Sequence, residues 1–334
     1  MTDLGILTRD AFAPQFVDEV ALEIPVFAMF FDKTRVTWKG GKTINKPVIT
    51  TTAESLMEWY DPEVDPVTVT SKSYLAQPSF KWKFARMPIR ISALEEVENV
   101  DASDENKIQD LLEMLLEQAN AGARSGFDAQ FHNATSAGDS GKKFQSIPEA
   151  CGHSRTYGGL TSHATSAMKY WNGASKAGNN TDIASSMALT LENLRLCFAA
   201  CRRYTKKKSR LFVFLGEALY IKLQTLFDAT RTVVVKNGEN TLYKYGFTTM
   251  ELDGNTEFVM DSWMTDNSMT THMMVVNPDT WELRMHPKRS FQVTKFIQQD
   301  EHTGGKDEKV ALLKVCGNAV CWQPNGNMYK SNVA

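Results

Sequence analysis

The chain has 334 residues, 42% of them hydrophobic and 23% charged, and a formal net charge of −2. It is long and apolar enough for a sizeable core, expected in two lobes, and the composition excludes both a disordered chain and a generally basic nucleic-acid binder. The acidic opening MTDLGILTRDAFAPQFVDEV and the lack of any long apolar run predict no signal peptide and no bilayer span, and five cysteines without framework spacing read as reduced thiols in cytosol.

In chain order, the first distinctive stretch is WKGGKTINKP, residues 38–47. It ends like a phosphate-binding loop at Gly41-Lys42-Thr43, but Val36 stands where the first glycine of such a loop belongs. Pro47 and the β-branched pair Val48-Ile49 stand where its helix should start.

Residues 33–92 read instead as a long hairpin. Its first arm, about Thr43 to Thr51, is rich in Thr, Ile and Val; its second has Phe80, Trp82 and Phe84 alternating with Lys81 and Lys83, the period of a strand with one apolar face. The tip, AESLMEWYDPEVDP, carries Glu54, Glu58, Asp61, Glu63 and Asp65 and no cation. The stems have the opposite sign, with Lys33, Arg35, Lys39, Lys42 and Lys46 on one side and Lys72, Lys81, Lys83 and Arg86 on the other. A two-stranded hairpin is marginal alone, so its aromatic face needs a cover. The opposite charges favour a neighbouring subunit as that cover; the alternative is the chain's own sheet.

Beyond the hairpin, Ile108, Leu111, Leu112, Leu115, Ala119, Ala123, Phe127 and Phe131 recur at helical spacing, predicting one long helix from about Asp104 to about Phe131, capped by Asp101, Ser103 or Asp104. A second helix is expected from Thr181-Asp182, with Ile183, Met187, Leu191, Leu194 and Phe198 on one face. Leu211 to Leu215 reads as a buried strand followed by a helix, and the chain from about His272 as mostly strands: MMVV, SFQVTKFIQ and VALLKVCGNAVCW.

Several enzyme-like signals are incomplete. Gly138-Asp139-Ser140-Gly141 has the form of a serine-nucleophile loop, but the only histidine just ahead of it is His132, six residues away. Cys151, His153 and His163 match no complete zinc spacing. Cys197 and Cys201, four apart on a helix, and Cys316 and Cys321 read as small buried apolar residues. Arg202, Arg203, Lys206, Lys207 and Lys208, with Arg210, form the strongest basic cluster: a candidate contact for DNA or an acidic segment, or else a solvated helix end favoured by the helix dipole. The chain is therefore read as no enzyme, with no catalytic, cofactor-binding or metal residue assigned.

Thr156-Tyr157-Gly158-Gly159-Leu160, with Trp171 eleven residues on, is the most specific motif; Arg86-Met87-Pro88-Ile89, leading through Ile91-Ser92 to Glu95, is a looser one. In this order, with the hairpin and the long helix, the chain resembles the major capsid proteins of tailed bacteriophages. The resemblance implies an α+β fold: an N-terminal arm (1–32), an extended loop (33–92), a peripheral domain (93–180) with a spine helix at about 104–131, an axial domain (181–271), and returning strands of the peripheral domain with a C-terminal segment (272–334). It implies a structural subunit that self-assembles into hexamers and pentamers of an icosahedral or prolate shell around double-stranded DNA, in the virion, after assembly in the cytoplasm of a host bacterium.

The same resemblance implies assembly contacts at the loop tip (Glu54, Glu58, Asp61, Glu63, Asp65) and stems (Lys42, Lys46, Lys81, Trp82, Lys83), and a DNA or scaffold contact at Arg202, Arg203, Lys206, Lys207 and Lys208. Expected partners are further copies of the chain, a portal protein, a decoration protein and DNA packaged without sequence specificity, with no membrane. Only about thirty residues precede the loop, so scaffolding is expected from a separate protein. Some relatives crosslink a loop lysine to a neighbour's asparagine; Lys42, Lys46 and Lys72 are the available donors. Alternatives are an encapsulin-like compartment enclosing protein cargo and a soluble hydrolase built on Gly138–Gly141.

Overall fold

The computed structural model describes residues 25–30, 36–38, 41–50, 59–64 save 62, 75–95, 111–133, 141–161 save 153–155, 170–174, 186–230 save 204 and 206–208, and 249–334 save 253–254, 288, 290–291 and 299–305. The start of the long helix ahead of Leu111, and the expected helix start at Thr181-Asp182, lie outside these residues.

One strand, Glu308–Cys321, organises the first of two main sheets. Along one edge it pairs antiparallel with Lys83–Ser92, from Glu308 opposite Ser92 to Gly317 opposite Lys83. Gln292–Val293 and Ile297–Gln298 pair with it at Lys314-Leu313 and Val310-Lys309. Trp281–Met285 pairs antiparallel with its last residues, and Val36–Trp38 lies parallel beside Trp281–Met285.

The long helix, Leu111–His132, covers this sheet. From Leu115 onward its stripe falls where periodicity put it: Leu115, Ala119 and Ala123 pack with Ile89, Ala311 and Leu313, while Phe127 and Phe131 enter the main core. There Phe131 meets Phe30, ring centroids 4.4 Å apart, and Phe30 meets Trp281 at 5.1 Å.

The second sheet runs Thr249–Leu252, Thr256–Met260, Leu211–Leu215, Met273–Val276, Met328–Lys330. Leu211–Leu215 is buried throughout because both its faces are covered. Leu211, Val213 and Leu215 face helices Leu191–Arg202 and Glu217–Thr230, whereas Phe212 and Phe214 alternate to the other side. That other side is continuous with Leu283, Met285, Val315 and Ala319 of the first sheet. One main core therefore spans both sheets, where the sequence predicted two lobes.

Three boundaries differ from expectation. Residues 33–92 are not one hairpin, because Val36–Trp38 and Lys83–Ser92 belong to the first sheet. The hairpin arms are two short ladders, Ile44-Asn45 with Ser79-Phe80 and Val48-Ile49 with Leu75-Ala76. Pro47 and Pro78, which have no N–H to give, fall in the gap between them. Next, Met273–Val276 and Met328–Lys330 join the second sheet, so the chain after 272 does not return wholly to the first. Finally, the helix carrying Leu194 and Phe198 starts only at Leu191, where Thr190 accepts a hydrogen bond from the Asn193 N–H at 3.2 Å. Met187, expected on that helix, bridges Val333 instead.

Candidate assembly surfaces and a buried carboxylate–imidazole centre

The hairpin is held at its base by the Thr156–Thr161 turn. Thr156-Tyr157 and Leu160-Thr161 pair antiparallel, and Gly158 (φ 62°) and Gly159 (φ 77°) close a two-residue turn that requires positive φ at both positions. The Gly158 carbonyl accepts from the Ser79 N–H at 2.9 Å, and a Cβ on Gly158 would stand 2.6 Å from the Phe80 ring and 2.8 Å from Pro78. Tyr157 packs edge-on to Phe80 at 4.9 Å, and its hydroxyl accepts from the Cys321 N–H at 2.8 Å. Trp171 donates its indole N–H to the Tyr157 carbonyl at 3.0 Å. Thus the Tyr-Gly-Gly motif and its distant tryptophan form a clamp on the root of the hairpin.

Farther out, one face of the hairpin is open to solvent. Ile49 and Leu75, paired directly opposite each other in the outer ladder, are exposed. At the tip, the Asp61 carboxylate accepts from the Glu63 N–H at 3.1 Å and its carbonyl from the Val64 N–H, making a tight turn. Around it Trp59 is 89% exposed, Tyr60 65% and Val64 76%. The acidic residues alone do not point to these three; the sequence signal for them is the Trp59-Tyr60 pair itself. Asp61 and Glu63 are exposed, and Glu54, Glu58, Asp65 and Lys72 lie outside the described residues.

The stems divide. Lys42, Lys46 and Lys81 are exposed, with the Lys46 ammonium 5.5 Å from the centre of the Trp322 ring. The assignment of Trp82 and Lys83 to an intersubunit surface is corrected. Trp82 packs on the chain's own core, donates to the Gly41 carbonyl at 2.8 Å and meets the His286 ring at 5.7 Å. Lys83 is buried and donates to the Gly141 carbonyl. The expected single apolar face fails as well: Phe80 is wholly buried, while Phe84, across the break between hairpin and sheet, is 63% exposed. Gly41, from the phosphate-loop look-alike, serves as the acceptor for Trp82.

Of the basic cluster, Arg202 turns inward and donates to the Thr256 hydroxyl at 2.7 Å, and Arg210 pairs with the buried Glu257 at 3.0 Å. Arg203 is exposed; Lys206, Lys207 and Lys208 lie outside the described residues, as do Gly138, Asp139, Ser140, His153 and His163. All five cysteines are buried thiols. Asn327, near the chain's end, is buried, and its side chain is engaged by the Asn277 N–H, the Trp281 indole and the Thr280 hydroxyl.

One polar centre was missed altogether. Asp128 and His132 lie one turn apart in the last turns of the long helix, and Asp261 caps the short helix Ser262–Asp266, its Oδ1 accepting from the Trp263 N–H. All three side chains are fully buried. His132 Nε2 is 2.8 Å from Asp261 Oδ2, Nδ1 is 2.8 Å from the Asp128 carbonyl oxygen, and Trp263 stacks on the ring at 4.7 Å. Burial alone would lower the pKa of His132, but Asp261 and Asp128 outweigh it and hold it up at about 9; burial pushes Asp128 up to about 7 against the opposing pull of His132. Asp128–His132 at i, i+4 was visible in the sequence; Asp261, 129 residues on from His132, was not.

No protein-family model and no curated protein sequence matches the chain. Its architecture does match solved structures over nearly its full length. A chain of the capsid asymmetric unit of cyanophage A-1(L) is 12% identical, with 97% of this chain and 96% of that one covered at a TM-score of 0.68. For the capsid of the native GTA particle the values are 9% identity, 94% and 91% coverage, and 0.57. For the SrpI encapsulin of Synechococcus elongatus PCC 7942 they are 6%, 90% and 85%, and 0.53. The chain therefore has the α+β fold of phage major capsid proteins, a fold that also serves an encapsulin.

Proposed function

We propose that this chain is the structural subunit of a phage-type capsid, a non-enzymatic protein that assembles with its own copies into hexamers and pentamers of a closed shell around double-stranded DNA. The observation that carries the reading is the hairpin: its root is buried in the chain's own core, and its far end offers Trp59, Tyr60 and Val64 to solvent. Exposed aromatic anchors are what an interface hot spot requires, and they need a second molecule to cover them. In this reading the tip lies across a neighbouring subunit, with Asp61 and Glu63 facing cations there and Lys42, Lys46 and Lys81 facing acidic groups at the stems. The first sheet with the long helix is the peripheral domain, and the second sheet with its two helices is the axial domain. A separate scaffolding protein, a portal and a decoration protein are the further partners, and the exposed Arg203, with Lys206, Lys207 and Lys208 close by in sequence, is the basic contact for scaffold or DNA.

Replacing Trp59 and Tyr60 together by serine tests this. Both side chains are solvated in the single chain, so its melting temperature should not change, whereas assembly should weaken by about 2 kcal/mol or more per contact, the scale of a hot-spot residue. Normal shells from the double variant would remove the tip from the interface. The encapsulin similarity supports a second reading, a compartment for protein cargo; nucleic acid inside purified particles favours the capsid, and protein cargo favours the compartment.

A further inference from the structure

We propose that Asp128, His132 and Asp261 hold one divalent transition-metal ion, of the zinc or manganese kind, that ties the end of the long helix to the second sheet. One ligand atom from each residue lies within 4.8 Å of the others, and all three side chains are fully buried. The unsatisfied group is Asp128. Both its carboxylate oxygens are buried without a hydrogen-bond partner, Oδ1 standing 3.6 Å from His132 Nδ1. A buried carboxylate left this way is costly, and it is aimed into a cluster that already holds a second carboxylate.

The imidazole is oriented as a ligand. Its Nδ1–H donates to the Asp128 carbonyl at 2.8 Å, the outer contact that commonly fixes the tautomer of a metal-binding histidine and leaves Nε2 as the donor atom. Nε2 then faces Asp261 Oδ2 at 2.8 Å, lone pair against carboxylate, so a cation has to mediate the contact. A proton on Nε2 satisfies Asp261 but leaves both carboxylate oxygens of Asp128 without a hydrogen-bond partner. A dication bound by neutral His132 and both carboxylates leaves the centre neutral and gives Asp128 its ligand. Asp261 Oδ1 is engaged by the Trp263 N–H, so that residue binds through one oxygen. One imidazole with two carboxylates suits zinc or manganese better than magnesium or calcium, which favour all-oxygen shells. His132 and Trp263 also form part of the wall of a cavity of about 770 Å³ beside the long helix.

This assignment does not depend on the shell reading. Full-length protein is stripped with EDTA, dialysed, and titrated calorimetrically with Zn2+, Mn2+, Mg2+ and Ca2+, while elemental analysis counts ions per chain. The expected result is one Zn2+ or Mn2+ per chain, a melting temperature that falls on stripping and recovers on reloading, and affinity weakened at least about tenfold in Asp128→Asn. Where Asp128→Asn does not fold, His132→Gln takes its place, and the wild-type titration decides if neither folds. Wild-type protein that takes up no equivalent of Zn2+ or Mn2+, or prefers Mg2+ or Ca2+, overturns the assignment, as does a folded Asp128→Asn or His132→Gln that binds as tightly as wild type.

Discussion

At the scale of single residues, the clamp on the hairpin root makes a sharp prediction. Gly158 and Gly159 both need positive φ, but only Gly158 is pressed against Phe80 and Pro78. Gly159→Ala should cost about 1–2 kcal/mol, the penalty of a left-handed non-glycine residue. Gly158→Ala should cost a further 1–3 kcal/mol or so from overpacking, read as a larger drop in the melting temperature of the unassembled subunit. Equal drops would mean that the turn does not bear on the hairpin. Trp82→Ala makes the complementary point. Its indole is bonded to Gly41 and packed on the core, so the isolated subunit should lose about 2–3 kcal/mol, somewhat below the cost of truncating a wholly buried aromatic. A loss seen in shells alone would return Trp82 to the intersubunit surface. The residue scale was also where the sequence was least legible. Phe80, Trp82 and Phe84 alternate perfectly, yet the chain passes from hairpin to sheet between them, and no periodicity marks a change of partner.

At the scale of elements, local patterns carried most of the information. The stripe of the long helix and the five-residue strand Leu211–Leu215 with its following helix were legible because their periods repeat within one element. Met187 continues the apolar spacing ahead of Leu191 although it lies outside the helix; what starts the helix is the Thr190 cap, a weaker signal than periodicity. Met273–Val276 was seen as a strand but given to the wrong sheet, since pairing is a long-range choice that an apolar run does not encode. The charge pattern of the hairpin yields a prediction at this scale. Asp61→Asn keeps the turn's hydrogen bond while removing its charge, and Glu63→Lys reverses the other described tip charge. The pair together should destabilise assembled shells at low salt, with the deficit shrinking as ionic strength rises past the range where surface charges are screened. A deficit unchanged by salt would assign the tip's role to Trp59, Tyr60 and Val64 alone.

At the scale of the whole molecule, one core runs through both sheets, while Ile49, Trp59, Tyr60, Val64 and Leu75 present apolar surface to solvent. The exposed aromatic tip beside a buried hairpin root is the physical content of the shell reading. It rests on the extended hairpin more than on any polar site. The most direct measurement is the mass and shape of the purified full-length protein at high concentration, by sedimentation together with negative-stain imaging. Closed, hollow particles of megadalton mass built from this chain are the expected result. A monomer or a small closed oligomer that stays so across salt and concentration would contradict it.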